Sequence, residues 1–335
     1  MVSHIPATCN ASVWLFKDVS RLDAVRQLAN GVGRARIAGD SDIEEPPRCL
    51  VASYTSEAEI PLPPVKGSKE LSFAEETEAK RWYERQIFGV SGRRGRFPRL
   101  RRSPKVSCTA VILFKRFYLS QSIMEVDPVV MSLCCLFLAS KIEDEFSSAL
   151  ELARTNAGLD DAKAKVLETA IFDHEVILLA GCNFDIRIAH PHRFFLALAD
   201  KGDDPVALAD AAEALLLTDA PLLYPPETLA LAASLHVRHR QIPPAANLCP
   251  DPAKQQANEL LDHYPPEELM VLLRDEDDAK AKAFDQQAKA YHKRLKKVAL
   301  WAKKSPPPNN LSEEDSSMQI DDVKQKRGLK RMAVG

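Results

Sequence analysis

Apolar positions along this chain recur with helical spacing almost everywhere, and no segment alternates with the period of a strand. The clearest case is Val129–Ile142, apolar nearly all the way round a helix and closed by Lys141. Such a segment predicts a helix surrounded by other helices. Asp127 is its expected N-cap and Pro128 its first residue, where a missing N–H costs nothing. Lys141 would then carry its ammonium out of the packed layer to the surface.

Other helices follow from the same reading. Residues 72–88 carry acids early and bases late, matching the helix dipole. Residues 105–119 place Val106, Ala110, Leu113, Phe117 and Tyr118 on one side. Residues 161–182 run through Val166, Leu167, Ile171, Val176, Leu178 and Leu179 as an apolar stripe. Near the N-terminus, Ser20 and Asp23 suggest a capping box, Leu22, Val25, Leu28 and Ala29 form a stripe, and Gly31 is expected to stop the helix. Near the other end, Phe284, Ala288, Tyr291, Leu295, Val298 and Ala302 step by 4, 3, 4, 3 and 4 along a basic helix over 279–303.

The pattern repeats. A shift of 98 residues lays LSQSIMEVDPVVMSLCC (119–135) over LTDAPLLYPPETLALAA (217–233), so that Pro128 meets Pro226 and Leu133 meets Leu231. Each copy reads as a helix, a short turn, a proline at a helix start, then a small-residue-rich helix. Two copies of one all-α unit of roughly a hundred residues are expected.

Composition narrows the class. The 335 residues include 45% hydrophobic and 27% charged, with 12 glycines and 23 prolines, too few glycines for an all-β chain. The net charge of −2 argues against nucleic-acid binding by the molecule as a whole. Seven scattered cysteines without a C-x-x-C pair suggest buried thiols in a reducing compartment. MVSHIPATCNA lacks the layout of a secretion signal and the run 129–139 is too short to span a bilayer, so an intracellular, soluble protein is expected. Prolines across 41–69 suggest linker, and SPPPNNLSEEDSSMQIDD after Ser305 suggests disorder.

Candidate chemistry is sparse. No phosphate-cradling glycine motif, nucleophile elbow or carboxylate dyad is present, so no catalytic residue and no cofactor are expected. His236 and His239, three apart on a helix, lack a third ligand and read as surface histidines rather than a metal site. Glu143, Asp144 and Glu145 read as a helix end or contact surface. The loop SGRRGRFPRLRRSPK brings together Arg93, Arg94, Arg96, Arg99, Arg101, Arg102 and Lys105; nuclear import, nucleic-acid contact and a solvated insertion all stay open for it. KQKRGLKR, with Lys326, Arg327, Lys330 and Arg331, is the better import candidate.

FKRFYL, SIMEVDP, FLASKIEDEF and LLLTDAPLLYPPETLAL together resemble the cyclin family, closest to its cyclin H branch. The resemblance covers 71–241 well and implies two tandem five-helix boxes, 71–186 and 187–278. An N-terminal extension (1–70), a C-terminal helix (279–304) and a tail (305–335) would flank them. It implies that Lys141 of the A-S-K segment pairs with Glu175, nine residues before Phe184 of CNFDI, and that the two contact a kinase near the backbone of its C-helix. The second repeat has His239 in place of Lys141. The implied protein is a non-catalytic, nuclear activator of a cyclin-dependent kinase. It would sit in the CDK-activating kinase with a RING-finger assembly subunit, and in transcription factor IIH, with no membrane association. Its kinase would phosphorylate other cyclin-dependent kinases and the RNA polymerase II C-terminal domain. The nearest alternative is a cyclin C-like Mediator kinase subunit; a factor IIB-like DNA-binding core is more distant, and direct nucleic-acid binding is not expected. The basic loop is longer than in the cyclin H branch, and residues 72–88 lack the M-R-x-I-L docking element of cell-cycle cyclins.

Overall fold

A computed structural model describes residues 14–39, 70–157, 160–198, 204–241, 252–266, 270 and 279–304. Among these residues every regular element is helical: α1 Val19–Ile37, α2 Phe73–Ser91, α3 Pro104–Ser120, α4 Pro128–Ile142, α5 Ala149–Ala157 and α6 Asp161–Gly181. They are followed by α7 Phe195–Leu198, α8 Pro205–Leu216, α9 Ala220–Leu223, α10 Pro226–Gln241, α11 Pro252–His263, α12 Ala279–Val298 and α13 Leu300–Lys304. The expected linker over 41–69 and the tail after Ser305 lie outside the described residues.

The start of α2 shows how local chemistry sets a boundary. Ser72 accepts from the Glu75 backbone N–H, and Glu75 reaches back to the Ser72 N–H at 2.8 Å, a reciprocal capping box. At α4, the Asp127 carboxylate accepts from the Val129 N–H at 2.8 Å, with Pro128 in the first turn. Every side chain from Val130 to Ser140 is buried, because α2, α3, α5 and α6 enclose α4 from all sides. Burying a Leu or Phe in such a position contributes about 1.5–3 kcal/mol each.

The repeat is structural. α10 starts at Pro226 as α4 starts at Pro128, and α10 packs between α8 and α11 much as α4 packs between α3 and α5. α8 also packs on α3, so one apolar core runs continuously from Leu71 to Ala299 through both repeats.

Two flanking helices lean on the first repeat. α1 packs on α2 and α3; Asn30 donates to the Leu71 carbonyl at 3.1 Å and to Glu76 at 2.5 Å, and Arg26 reaches Asp219 in the second repeat. α12 lies on a different face of α2, with Asp285 accepting from Trp82 at 2.9 Å and from Arg85 at 2.6 Å. Beyond it, Trp301 donates to the Ile123 carbonyl at 3.0 Å.

Three expectations need correction. The N-terminal helix starts two residues earlier, capped by Asp18 rather than Ser20, and runs through Gly31 and Gly33 to Ile37. Those glycines do not end it; Gly33 lets it approach the turn after α3, where a Cβ would sit 2.6 Å from the Ser122 Cβ. His236 is buried at 6% exposure, since α10 is enclosed by its neighbours as α4 is; the His239 side chain is outside the described set. In α6, Val166 and Val176 are 73% and 66% exposed rather than part of a core stripe.

A candidate partner-docking face

Only Ala164, Ile171 and Leu178, spaced by seven, are fully buried in α6. The helix therefore touches the core along one narrow seam and leaves much of its girth to solvent. Its remaining apolar residues include Val166, Phe172, Val176 and Ile177, all exposed. Phe172, Glu175 and Val176 share one face by their i, i+3, i+4 spacing, and that face adjoins the C-terminal end of α4.

Lys141 stands at this junction. It belongs to the last turn of α4, where the helix dipole favours a cation. Its ammonium donates to the Glu175 carboxylate and lies 4.3 Å from the Phe137 ring centroid, a cation–π contact. Phe137, itself buried, meets Phe172 edge-on at 5.5 Å and Phe146 at 6.3 Å. The pair is 37% and 22% exposed, so it lies at the rim of the packed layer, neither deep in it nor loose in water. Phe146, 66% exposed, and Phe172, 49% exposed, flank it. An ion pair set among uncovered aromatic rings suits a partner that buries the rings and takes hydrogen bonds from the remaining ammonium protons.

The turn after α4 is fixed rigidly. Ser140 accepts from the Ser147 N–H at 3.1 Å, and Asp144 adopts a left-handed conformation at φ 57°. Glu143 accepts from Thr109 at 2.7 Å and from the His190 ring at 3.1 Å. Burial pushes its carboxyl up, but those two hydrogen bonds outweigh burial and hold it below its ordinary value. Glu145 accepts from the Ser103 N–H at 2.8 Å. The acid cluster thus ends α4 and braces the neighbouring segments. Cys134, behind the pair, is no nucleophile: burial first, then the nearby Glu175 charge, pushes its thiol up to about 12.

Several cations of the basic loop are tied back to the chain, although Arg94, Arg96, Arg99, Arg101 and Lys105 stay exposed. Arg93 bonds Asp210 and, at 3.3 Å, Glu213, both on α8 of the second repeat. Arg94 reaches Asp210 at 2.9 Å and Arg96 the Gln86 amide oxygen at 2.5 Å. Arg101 donates to the Gly95 carbonyl at 2.8 Å, and Arg102 to the carbonyls of Glu145 and Phe146 at 3.2 and 3.0 Å. Lys326, Arg327, Lys330 and Arg331 lie outside the described residues. Among the described residues no three His, Cys, Asp or Glu side chains group as metal ligands, and no helix is long and apolar enough to cross a membrane.

The sequence reading anticipated that Lys141 and Glu175 would meet; it missed Phe146 and Phe172. The available signal was surplus: α6 has more apolar residues than a seam spaced by seven can bury.

No family model matches the chain. Over 143 residues it is 32% identical to cyclin-H of Xenopus laevis, covering 39% of this chain and 44% of that protein. Over 188 residues it is 34% identical to cyclin-C of Rattus norvegicus, covering 50% of this chain and 64% of that one. The chain thus spans roughly half the length of the curated relatives it matches. A chain of the CAK complex from Chaetomium thermophilum bound to ATP-gamma-S superposes with a TM-score of 0.59 at 21% identity, covering 87% of this chain and 88% of that one; this likeness shows the fold. Over these stretches the chain is similar to cyclins. The described helices are consistent with the all-α cyclin-box fold. The five helices α2–α6 make up the first repeat, and Lys141 and Glu175 lie on its surface.

Proposed function

We propose that the chain is the regulatory subunit of a cyclin-dependent kinase of the CDK-activating type, and that it docks its kinase on the face around Lys141 and Glu175. The observation that carries this reading is the ion pair at the end of a fully enclosed helix, flanked by exposed Phe146, Phe172 and Val176. The first box (71–186) supplies this face, while the second (187–278) has His239 where the first has Lys141.

The mechanism rests on the kinase's own needs. Phosphoryl transfer requires its C-helix glutamate to pair with the strand lysine and its activation segment to be ordered. A cyclin that binds only that arrangement shifts the population toward it without contributing a catalytic group. Lys141, oriented by Glu175 and the Phe137 ring, offers its free ammonium protons to backbone carbonyls of the partner. The exposed rings supply apolar area, within an interface on the order of 2,000 Å² or more.

Similarity to cyclin-H supports the finer reading: a nuclear complex with a cyclin-dependent kinase and a RING-finger assembly subunit, working within transcription factor IIH on other cyclin-dependent kinases and on the RNA polymerase II C-terminal domain. The similarity to cyclin-C, which extends over more of that relative, supports a second reading as a Mediator kinase subunit. Pull-downs of the full chain with the purified kinase of each complex, followed by a kinase assay on a C-terminal-domain peptide, decide between them. Capture and activation of neither kinase would refute both.

A further inference from the structure

At the seam between the repeats lies a cleft of about 220 Å³ that the kinase-docking reading does not use. Five cations line it: Arg85 from α2, Arg93, Arg94 and Arg96 from the basic loop, and Lys289 from α12. Three carboxylates face them, Asp210, Glu213 and Asp285, so the cleft carries an excess of two positive charges.

The carboxylates orient the cations. Asp210 accepts from both Arg93 and Arg94, and Asp285 holds Arg85 at 2.6 Å. Gly89 makes room for another: a Cβ there would meet the Arg96 guanidinium at 3.3 Å, so the missing side chain lets that group lie across α2. Arg94 is 46% exposed even while paired, and Lys289 is exposed, so both can turn donors toward an incoming group.

We infer that this cleft binds a phosphorylated serine or threonine in a partner peptide. A phosphomonoester carries about −1.5 to −2 charges and three acceptor oxygens, which matches the excess of two, and paired guanidiniums are its usual receptors. The size agrees, since the volume is below the roughly 300 Å³ at which small-molecule pockets begin and suits one side chain with its phosphate. A nucleic acid fits less well. Its continuous row of phosphates would have to run past Asp210, Glu213 and Asp285, whereas a single phosphate can sit among the cations. This inference stands whether or not the kinase reading holds.

The test uses the full chain and fluorescent degenerate peptide pools with a fixed central phosphoserine or serine, read by anisotropy near physiological salt. Inorganic phosphate and a short DNA duplex serve as competitors. The phosphoserine pool is expected to bind about tenfold or more tighter than the serine pool. The double variant Arg94→Ala, Lys289→Ala should abolish that difference without moving the thermal melt, since both side chains are exposed. Equal binding of the two pools, or a difference that survives in the double variant, overturns the inference. So does displacement by inorganic phosphate at the same concentration as the unlabelled pool, which marks an ion site. Tighter binding of the duplex than of the phosphoserine pool also overturns it, and identifies a nucleic-acid surface instead.

Discussion

Arg26 in α1 and Asp219, the residue before α9, are 193 residues apart in sequence and 2.6 Å apart in space, with side chains 10% and 20% exposed. This contact ties the N-terminal helix to the second repeat. Burial pushes the Asp219 carboxyl up, but the hydrogen bond and charge of Arg26 outweigh it and hold the group down to about 2, against 3.8 ordinarily. A depressed carboxyl stabilises the fold fully above its unfolded value and loses that contribution as pH falls from 3.8 toward 2. About 2 kcal/mol is at stake. Asp219→Asn should cost about 3 kcal/mol or more at neutral pH, because Arg26 stays buried without its counter-ion. The same variant should lose much of the acid sensitivity in that window. Urea unfolding at several pH values checks both; an unchanged acid limb in the variant would assign it to other groups.

Lys141→Ala and Glu175→Ala should leave stability within about 1 kcal/mol, as expected for a pair open to solvent. Each should weaken kinase binding by about 2–5 kcal/mol, the range for a charge pair that becomes desolvated at an interface. A double-mutant cycle measured by calorimetry should show coupling well short of additivity. Wild-type affinity in both variants would remove the pair from the interface.

Phe172→Ala should weaken the same binding without a comparable loss of fold. Half of that ring is solvent-exposed in the free chain, and its only described ring contact is the edge of Phe137. A melting temperature that drops while affinity holds would mark Phe172 as structural.

Acid should release the C-terminal helix. His292 on α12 meets the Tyr83 hydroxyl at 2.5 Å; burial first, then the Lys296 charge, pulls its imidazole down to about 4 from 6.5. A histidine held neutral stabilises docking above its ordinary value and loses that contribution as pH falls from 6.5 toward 4. The opening equilibrium over 279–304, read as hydrogen exchange divided by the intrinsic rate at each pH, should therefore rise between pH 7 and 5, and His292→Gln should flatten the rise. An equal rise in the variant would exclude His292 as the cause.

Gly33→Ala should destabilise by about 1–3 kcal/mol, the usual cost of overpacking, although alanine is the better helix former by about 1 kcal/mol. The new Cβ would need the space held by Ser122. A thermal melt at or above wild type would show that the turn after α3 yields.

Much of this protein was legible from one dimension. Asp127-Pro128 marks the start of α4 because capping and proline geometry are local. The register between Pro128 and Pro226 exposed the doubled architecture, since each copy must bury a similar helix.

Other features depend on what lies opposite. Gly31 was expected to end its helix, yet the helix runs on past it, and at Gly33 the Ser122 side chain leaves no room for a Cβ. The α6 stripe looked like core, but only a seam spaced by seven finds neighbours, so Val176 faces outward. Arg93 and Arg94, whose loop the sequence left open among three readings, face Asp210 and Glu213, more than a hundred residues away in sequence. Helix capping and periodicity are settled within a few residues and can be read directly from the chain. Which side of a helix is buried, and which charge meets which, depends on surfaces brought together only by folding.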